Sequence, residues 1–99
     1  MAGKKVSVVA RFKAKAGMAE ALKMELLSLI RPSRSDEGCI NYDLHQAIDD
    51  PGVFVFYENW ESRELLDRHL QREHLTVFLK KAEKLVAEQP QIILLQMIS

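Results

Sequence analysis

Two predicted strands of this chain carry apolar side chains on both faces, and few folds can bury such a sheet. Successive side chains of a strand point to opposite faces, so a sheet with one wet face alternates apolar and polar residues. The strands predicted at residues 53–60 and 91–98 do not alternate in this way. Their opposing apolar sets are Phe54, Phe56 and Trp60 against Val53, Val55 and Tyr57, and Ile92, Leu94 and Ile98 against Ile93, Leu95 and Met97. Both faces of the predicted sheet therefore need a cover.

The first half of the chain predicts a strand, a helix and a second strand. Residues 5–14 are rich in β-branched residues, and Gly17 ends this strand. From Met18 the apolar residues recur at helical spacing until Pro32, whose ring clashes one turn back, so the helix is expected to end or bend near there. A second strand follows from Cys39 to Gln46, and the loop "AIDDPG" at residues 47–52 joins it to the third strand.

The second half predicts a helix in two pieces and a last strand. Ser62 is placed to accept a hydrogen bond from the first free amides of the helix. The sequence "QREH", residues 71–74, interrupts the apolar spacing, which then resumes until Gln89 and Pro90. The resulting order, β-α-β-β-α-β, is the split β-α-β pattern of ferredoxin-like folds. We therefore predict one α+β domain over residues 1–99, with an antiparallel sheet and the helices on one of its faces.

A second copy of the chain is the economical cover for the other face of the sheet. One layer of two helices covers one face only, and most soluble oligomers are symmetric, with two-fold dimers the commonest. We therefore expect a homodimer that packs sheet against sheet. The alternative is that a short terminal strand tolerates exposed apolar residues.

Charge and cysteine content exclude several classes of partner. Fourteen basic residues balance fourteen acidic ones, so no net field favours nucleic acid. The longest apolar runs fall well short of the roughly 18 residues that cross a bilayer, and the start "MAGKKVSVV" lacks a signal-peptide core. A single cysteine, Cys39, agrees with a reducing compartment. We expect a cytoplasmic protein without nucleic-acid or membrane partners.

His69, His74 and Glu58 are the residues best suited to acid–base chemistry. Imidazole exchanges a proton near neutral pH, although a histidine on an apolar face is more often hydrogen-bonded and inert. Glu58 lies between Phe56 and Trp60 on an apolar strand face, where a carboxylate is costly unless it is paired. It either meets an arginine or a helix amide, which we favour, or lines a pocket with a raised pKa.

The sequence favours neither a metal nor a nucleotide cofactor. His69 and His74 are five residues apart, which on a continuous helix leaves their rings on well-separated faces; a break at residues 71–74 would relax that geometry. Cys39 follows Gly38 with no basic neighbour, which predicts a small hydrophobe rather than a nucleophile. The sequence has no glycine-rich phosphate loop and no dinucleotide fingerprint.

Residues 36–78, "DEGCINYDLHQAIDDPGVFVFYENWESRELLDRHLQREHLTVF", carry a series of motifs. These are an acidic-Gly-Cys turn, a Tyr-x-Leu strand, an Asp-Pro hairpin loop, a Phe-x-x-x-Glu-x-Trp strand, and a helix with a His-Leu pair and a second histidine. In this combination the chain closely resembles the antibiotic biosynthesis monooxygenase (ABM) domain family, especially its small quinol monooxygenases. With the flanking elements, the resemblance covers nearly the whole chain.

The resemblance implies a dimeric α/β barrel and an oxidation that needs no cofactor. Its substrates would be O₂ and a small electron-rich aromatic, namely a quinol, phenol or anthrone, held in a dry pocket between sheet and helices. The candidate residues are the bases His69 and His74 and the substrate-binding residues Asn41, Tyr42, Trp60, Glu58 and His45. Because His45 and Tyr42 lie on different faces of a regular strand, they cannot both line one pocket.

Two other functions would use the same residues. One is an isomerase or lyase of small carbonyl compounds, with the histidines as acid and base. The other is a non-catalytic dimeric module that binds a ligand, for example in a stress response. Oxygen consumption separates the monooxygenase from both alternatives.

Overall fold

The computed structural model describes residues 4–99, and its elements follow the predicted order. The strands are β1 (Val6–Lys13), β2 (Cys39–Gln46), β3 (Val53–Trp60) and β4 (Gln91–Leu95), and the helices are α1 (Ala19–Leu27), α2 (Ile30–Arg34), α3 (Arg63–Leu70) and α4 (Glu73–Ala82). The strands are antiparallel in the order β2-β3-β1-β4. The prediction of an α+β ferredoxin-like fold is confirmed.

The core lies between the helices and one face of the sheet. The strand register pairs Ala10 with Phe56 on one side and with Ile92 on the other, so these residues share a face. Buried residues from this face and from the helices form one cluster, which includes Val8, Phe12, Tyr42, Phe54 and Trp60 of the strands and Leu22, Leu26, Leu66 and Phe78 of the helices. All the helices therefore cover the same side of the sheet.

The other face of the sheet carries an apolar patch beside polar residues such as Arg11, Asn41 and Asn59. The same register places Val9 between Tyr57 and Ile93 on this face. The exposed fractions are 42% for Tyr57, 52% for Ile93 and 43% for Leu95. The prediction of apolar side chains on both faces is confirmed for β3 and β4, and the helices leave the second face open to solvent in the single chain.

The first predicted helix is divided into α1 and α2. The bend lies at Ser28 and Leu29, one turn before Pro32, and α2 continues through the proline. A proline ring lacks the N–H that would bond to the carbonyl four residues earlier, which here is that of Ser28. Pro32 is tolerated inside α2 because it falls in the first turn, where amides have no partner within the helix.

The second predicted helix is divided at the expected place and ends earlier than expected. Ser62 Oγ accepts a hydrogen bond from the Leu65 amide at 3.2 Å, and the helix breaks between Leu70 and Glu73. The prediction that it continues to Gln89 is wrong, because α4 ends at Ala82. The backbone of residues 85–87 instead hydrogen-bonds to residues 13–15 beside the end of β1.

The last strand is shorter than predicted and none of the described helices is a membrane span. β4 covers residues 91–95 rather than 91–98. Over residues 4–99, no helix is long and apolar enough to cross a bilayer.

Candidate active site

A cavity of about 260 Å³ lies between the helix-covered face of the sheet and the helices. Most of its lining is apolar, from Val8, Ala10, Phe12, Leu29, Phe56, Leu66, Leu70, Leu75, Phe78, Leu79, Ile92 and Leu94. The polar side chains that line it are Tyr42 of β2, Glu58 of β3 and His69 of α3. A largely apolar cavity with a few convergent polar groups is the usual form of a small-molecule site.

Glu58 is buried with its carboxyl group against an indole. Its side chain is 5% exposed, and its Oε1 accepts a hydrogen bond from the Trp60 Nε1–H at 2.9 Å. Burial raises the pKa of Glu58 to about 7, although the hydrogen bond from Trp60 lowers it. The prediction that Glu58 meets an arginine or a helix amide is wrong, because its partner is two residues away on the same strand face. Glu58 is therefore a cavity carboxyl that is partly protonated at neutral pH.

His69 is held in one tautomer by a carboxylate. The distance between His69 Nδ1 and Asp36 Oδ2 is 2.8 Å, and a carboxylate only accepts hydrogen bonds, so Nδ1 carries the proton. This arrangement leaves Nε2 free to accept a proton. Burial lowers the pKa of His69, and the Asp36 carboxylate opposes that effect. The neutral, base-competent form therefore predominates at neutral pH.

Trp60 and Tyr42 both pack against the His69 ring. The ring centroids of Trp60 and His69 are 4.3 Å apart, and those of Tyr42 and His69 are 5.5 Å apart. Trp60 is fully buried and is not among the described residues that line the cavity, so it supports His69 and Glu58 from behind. Burial also raises the pKa of Tyr42, which keeps its hydroxyl a hydrogen-bond donor.

His74 does not line the cavity but lines an open surface groove of about 800 Å³. The break before α4 brings its ring to 5.8 Å from the His69 ring, measured between centroids. His74 Nε2 lies 3.1 Å from Ser33 Oγ and 3.9 Å from Asp36 Oδ2. Burial lowers the pKa of His74, and the Asp36 carboxylate opposes that effect. The break predicted at residues 71–74 relaxes the geometry that a continuous helix would impose, and the two rings lie close together.

Asn41 and His45 lie on the other face of the sheet. Asn41 pairs with Asn59, whose side chain donates a 2.8 Å hydrogen bond to Asn41 Oδ1, and His45 is exposed opposite Val55. The structure thus brings together Tyr42, Glu58 and His69, and it places Asn41 and His45 away from them. The predicted shared pocket for Asn41 and Tyr42 is wrong, since adjacent strand residues point to opposite faces.

Cys39 has no geometry for nucleophilic chemistry. A register shift beside it places Cys39 opposite Trp60, where it packs half-buried against the core. Burial and the nearby Glu58 carboxyl raise the pKa of the Cys39 thiol to about 11. The thiolate is therefore scarce at neutral pH.

Comparison with known proteins decides the family. The sequence model of the family described as antibiotic biosynthesis monooxygenase matches residues 5–81. The chain belongs to the antibiotic biosynthesis monooxygenase family. This ABM-family chain is 38% identical over 69 residues to Rv0793 of Mycobacterium tuberculosis, whose name assigns it provisionally to the monooxygenases; the match spans 70% of the chain and 67% of Rv0793. It is also 35% identical over 65 residues to the protein sll1783 of Synechocystis, but this match spans 66% of the chain and only 44% of that relative.

Solved structures share the whole ABM fold of this chain. The crystal structure of PA3566 from Pseudomonas aeruginosa has a TM-score of 0.92 at 34% identity and covers 100% of this chain and 99% of PA3566. The structure of Rv0793 has a TM-score of 0.92 at 29% identity, with 97% of each chain covered. The predicted resemblance to the ABM family is confirmed.

Asp36 is the site residue that reasoning from the sequence missed. It belongs to the acidic turn of the ABM motif, before β2, and it contacts His69, His74 and the Arg72 side chain, whose Nε lies 3.3 Å from Asp36 Oδ1. Its side chain is 8% exposed. The acidic-Gly-Cys turn was the available signal for a contact between Asp36 and α3. Gly38, at φ 86°, brings this turn so close to α3 that a Cβ on Gly38 would lie 2.5 Å from Leu65 Cδ1.

Proposed function

We propose that this protein is a cytoplasmic, dimeric monooxygenase that oxidises a small electron-rich aromatic with O₂ and without a cofactor. The preferred substrate class is a quinol, with phenols and anthrones as close chemical relatives. The observation that carries this proposal is the convergence of Tyr42, Glu58 and His69 on one apolar cavity. Its volume of about 260 Å³ is at the small end for ligand sites, which favours a compact aromatic without a long side chain.

The first step is removal of a phenolic proton by His69. Nε2 accepts the proton, and the Asp36 carboxylate at 2.8 Å from Nδ1 stabilises the imidazolium that forms. Without Asp36, burial of the cationic ring would be costly. The substrate becomes an electron-rich anion inside an apolar cavity that excludes water.

The second step is oxidation of that anion by O₂. The substrate supplies the electrons, one oxygen atom enters the ring, and the other leaves as water. For a hydroquinone, the sum is quinol plus O₂ giving a hydroxyquinone plus water. The Tyr42 hydroxyl and the protonated fraction of Glu58 are donors to the negative charge on the substrate oxygens, which is how a cavity of this kind lowers the barrier.

An oxygen electrode tests this function. We expect the protein to accelerate O₂ uptake by 1,4-naphthohydroquinone above its autoxidation rate, with the product carrying one ¹⁸O atom when ¹⁸O₂ is used. Benzene-1,4-diol and anthrone test the size and class of the ring. An absence of enzyme-dependent O₂ uptake across these three compounds contradicts the proposal. Turnover of a small carbonyl compound without O₂ would indicate the isomerase or lyase, and a rise in melting temperature without product would indicate the binding module.

The homodimer is proposed from the open face of the sheet. Val9, Val55, Tyr57, Ile93 and Leu95 present apolar side chains there, and a two-fold axis would bring two such faces together. We expect Val55→Lys to raise the dimer dissociation constant by more than about 100-fold, because two-fold symmetry places the new charge in the interface twice. Sedimentation velocity measures this change.

Ile48→Lys is the matched control for the dimer. Ile48 is 99% exposed in the hairpin loop between β2 and β3, so the same substitution there should leave the sedimentation coefficient unchanged. A wild-type protein that sediments as a monomer at micromolar concentration would contradict the dimer.

A further inference from the structure

We infer that Asp36, His69 and His74 form a binding site for a divalent first-row transition metal ion such as Zn²⁺. Each of these three residues offers one ligand atom, and the three atoms lie within 4.8 Å of one another. Asp36 Oδ2 is 2.8 Å from His69 Nδ1 and 3.9 Å from His74 Nε2. The residues come from three different segments, the turn before β2, α3 and the first turn of α4.

The spacing needs only small side-chain movements to hold an ion. Ligand atoms that bind zinc at about 2.0–2.2 Å lie roughly 3.0–3.5 Å from one another. The contact between Asp36 and His69 therefore has to open by a few tenths of an ångström, and His74 Nε2 has to approach the other two ligand atoms by roughly 0.5–1.5 Å. His74 has room for this movement because its side chain is 19% exposed and borders the open groove.

The chemical groups at the site suit a cation. Asp36 supplies a carboxylate oxygen, and His69 and His74 supply imidazole nitrogens, which are donor atoms that zinc binds. Arg72 pairs with Asp36 Oδ1, which leaves Oδ2 as the ligand atom, and the Arg72 side chain is 60% exposed and free to move away from a cation. When the ion binds, the neutral His69 ring changes tautomer: its proton moves from Nδ1 to Nε2, and Nδ1 becomes the ligand atom.

The surroundings provide access and open coordination positions. The groove that His74 borders admits an ion from solvent. Three protein ligands leave at least one position for water, and the hydroxyl of the buried Ser33, at 3.1 Å from His74 Nε2, is placed to accept a hydrogen bond from that water. Two imidazoles and one carboxylate favour zinc, cobalt, nickel or iron over calcium or magnesium, which prefer sites made of oxygen alone.

Isothermal titration with ZnCl₂ tests the site in tag-free, chelator-treated protein, without any aromatic compound. We expect one Zn²⁺ per chain, and an affinity more than about 100-fold weaker for Asp36→Asn and for His74→Ala. His45→Ala is the matched control, because His45 is exposed on the opposite face of the sheet. The Zn²⁺ affinity of this variant should equal that of the wild type. Co²⁺ should give visible absorption in the wild type and in the control only.

The binding test is independent of the monooxygenase proposal, since it needs no turnover. Wild-type protein that fails to bind Zn²⁺, or His74→Ala protein that binds as tightly as the wild type, would overturn the site. His74→Gln serves if the alanine variant does not fold. A Zn²⁺-dependent rise in melting temperature, present in the wild type and lost in the variant, is the second measurement.

Discussion

His69→Gln lowers the kcat/KM for oxygen-dependent quinol oxidation by about 100- to 1000-fold, because it removes the general base of the cavity. Glutamine is neutral and of similar length, and its amide takes roughly the position of Nε2. It cannot take a proton from a phenol at neutral pH. The loss should appear mainly in kcat, since the apolar cavity that binds the ring is retained.

Two further variants separate the base from its neighbours. His45→Gln should keep wild-type activity, because His45 is exposed on the other face of the sheet. The kcat/KM of His74→Gln should fall by less than about tenfold. His74 borders the groove rather than the cavity, so it makes no direct contact with the substrate. An oxygen electrode measures all three. If His69→Gln keeps more than about a third of the activity, His69 is not the base.

Glu58→Gln stabilises the protein at alkaline pH relative to the wild type. Burial raises the folded-state pKa of Glu58 from 4.5 to about 7, so between these values the folded chain binds more protons than the unfolded chain. This contribution to stability is fully present below about pH 4.5 and is lost as the pH rises through about 7. The difference between the two pKa values corresponds to about 3 kcal/mol in the free energy of unfolding.

The stability difference between Glu58→Gln and the wild type should grow with pH. Glutamine carries no charge, and its side-chain oxygen is able to accept the Trp60 indole N–H. The free energy of unfolding of Glu58→Gln minus that of the wild type should therefore increase by about 2.5 kcal/mol between about pH 5 and about pH 8.5. Urea unfolding of both proteins at both pH values measures this increase. Subtracting the difference at the lower pH from that at the higher pH removes any effect of the amide that does not depend on pH.

The exposed Glu61 supplies the control for that experiment. It follows β3 directly and is solvent-exposed, so Glu61→Gln should give a difference that does not change with pH. A pH-independent difference for Glu58→Gln would show that the buried carboxyl keeps the same charge in the folded and unfolded chain.

Much of the fold was predictable because it depends on local patterns. The two-residue period of side-chain direction in a strand assigned Phe56 and Tyr57 of β3 to opposite faces correctly. The sequence at residues 71–74 marked the break between α3 and α4. Patterns of this kind reflect neighbouring residues and fixed strand and helix periods. The early end of α4 depends instead on backbone hydrogen bonds to residues 13–15, which are some 70 residues away in the chain, so no local pattern announces it.

The candidate site was predicted in its residue types but not in its arrangement. His69, Tyr42 and Glu58 were all candidates. Asp36 was missed because its role depends on its contact with His69 of α3, which is 33 residues away in the sequence. The break at residues 71–74 was predicted, whereas the closeness of the His69 and His74 rings was not, because only the tertiary packing fixes the direction of the second ring after the break.

The edge strand β4 has a consequence for handling the protein. In the described residues β4 pairs only with β1, and all of its side chains are exposed. The stretch Gln91–Ser99 has no charged residue and no proline after Pro90, which is the composition of segments that add to one another as cross-β stacks. Isolated subunits at high concentration are therefore prone to aggregate through this edge.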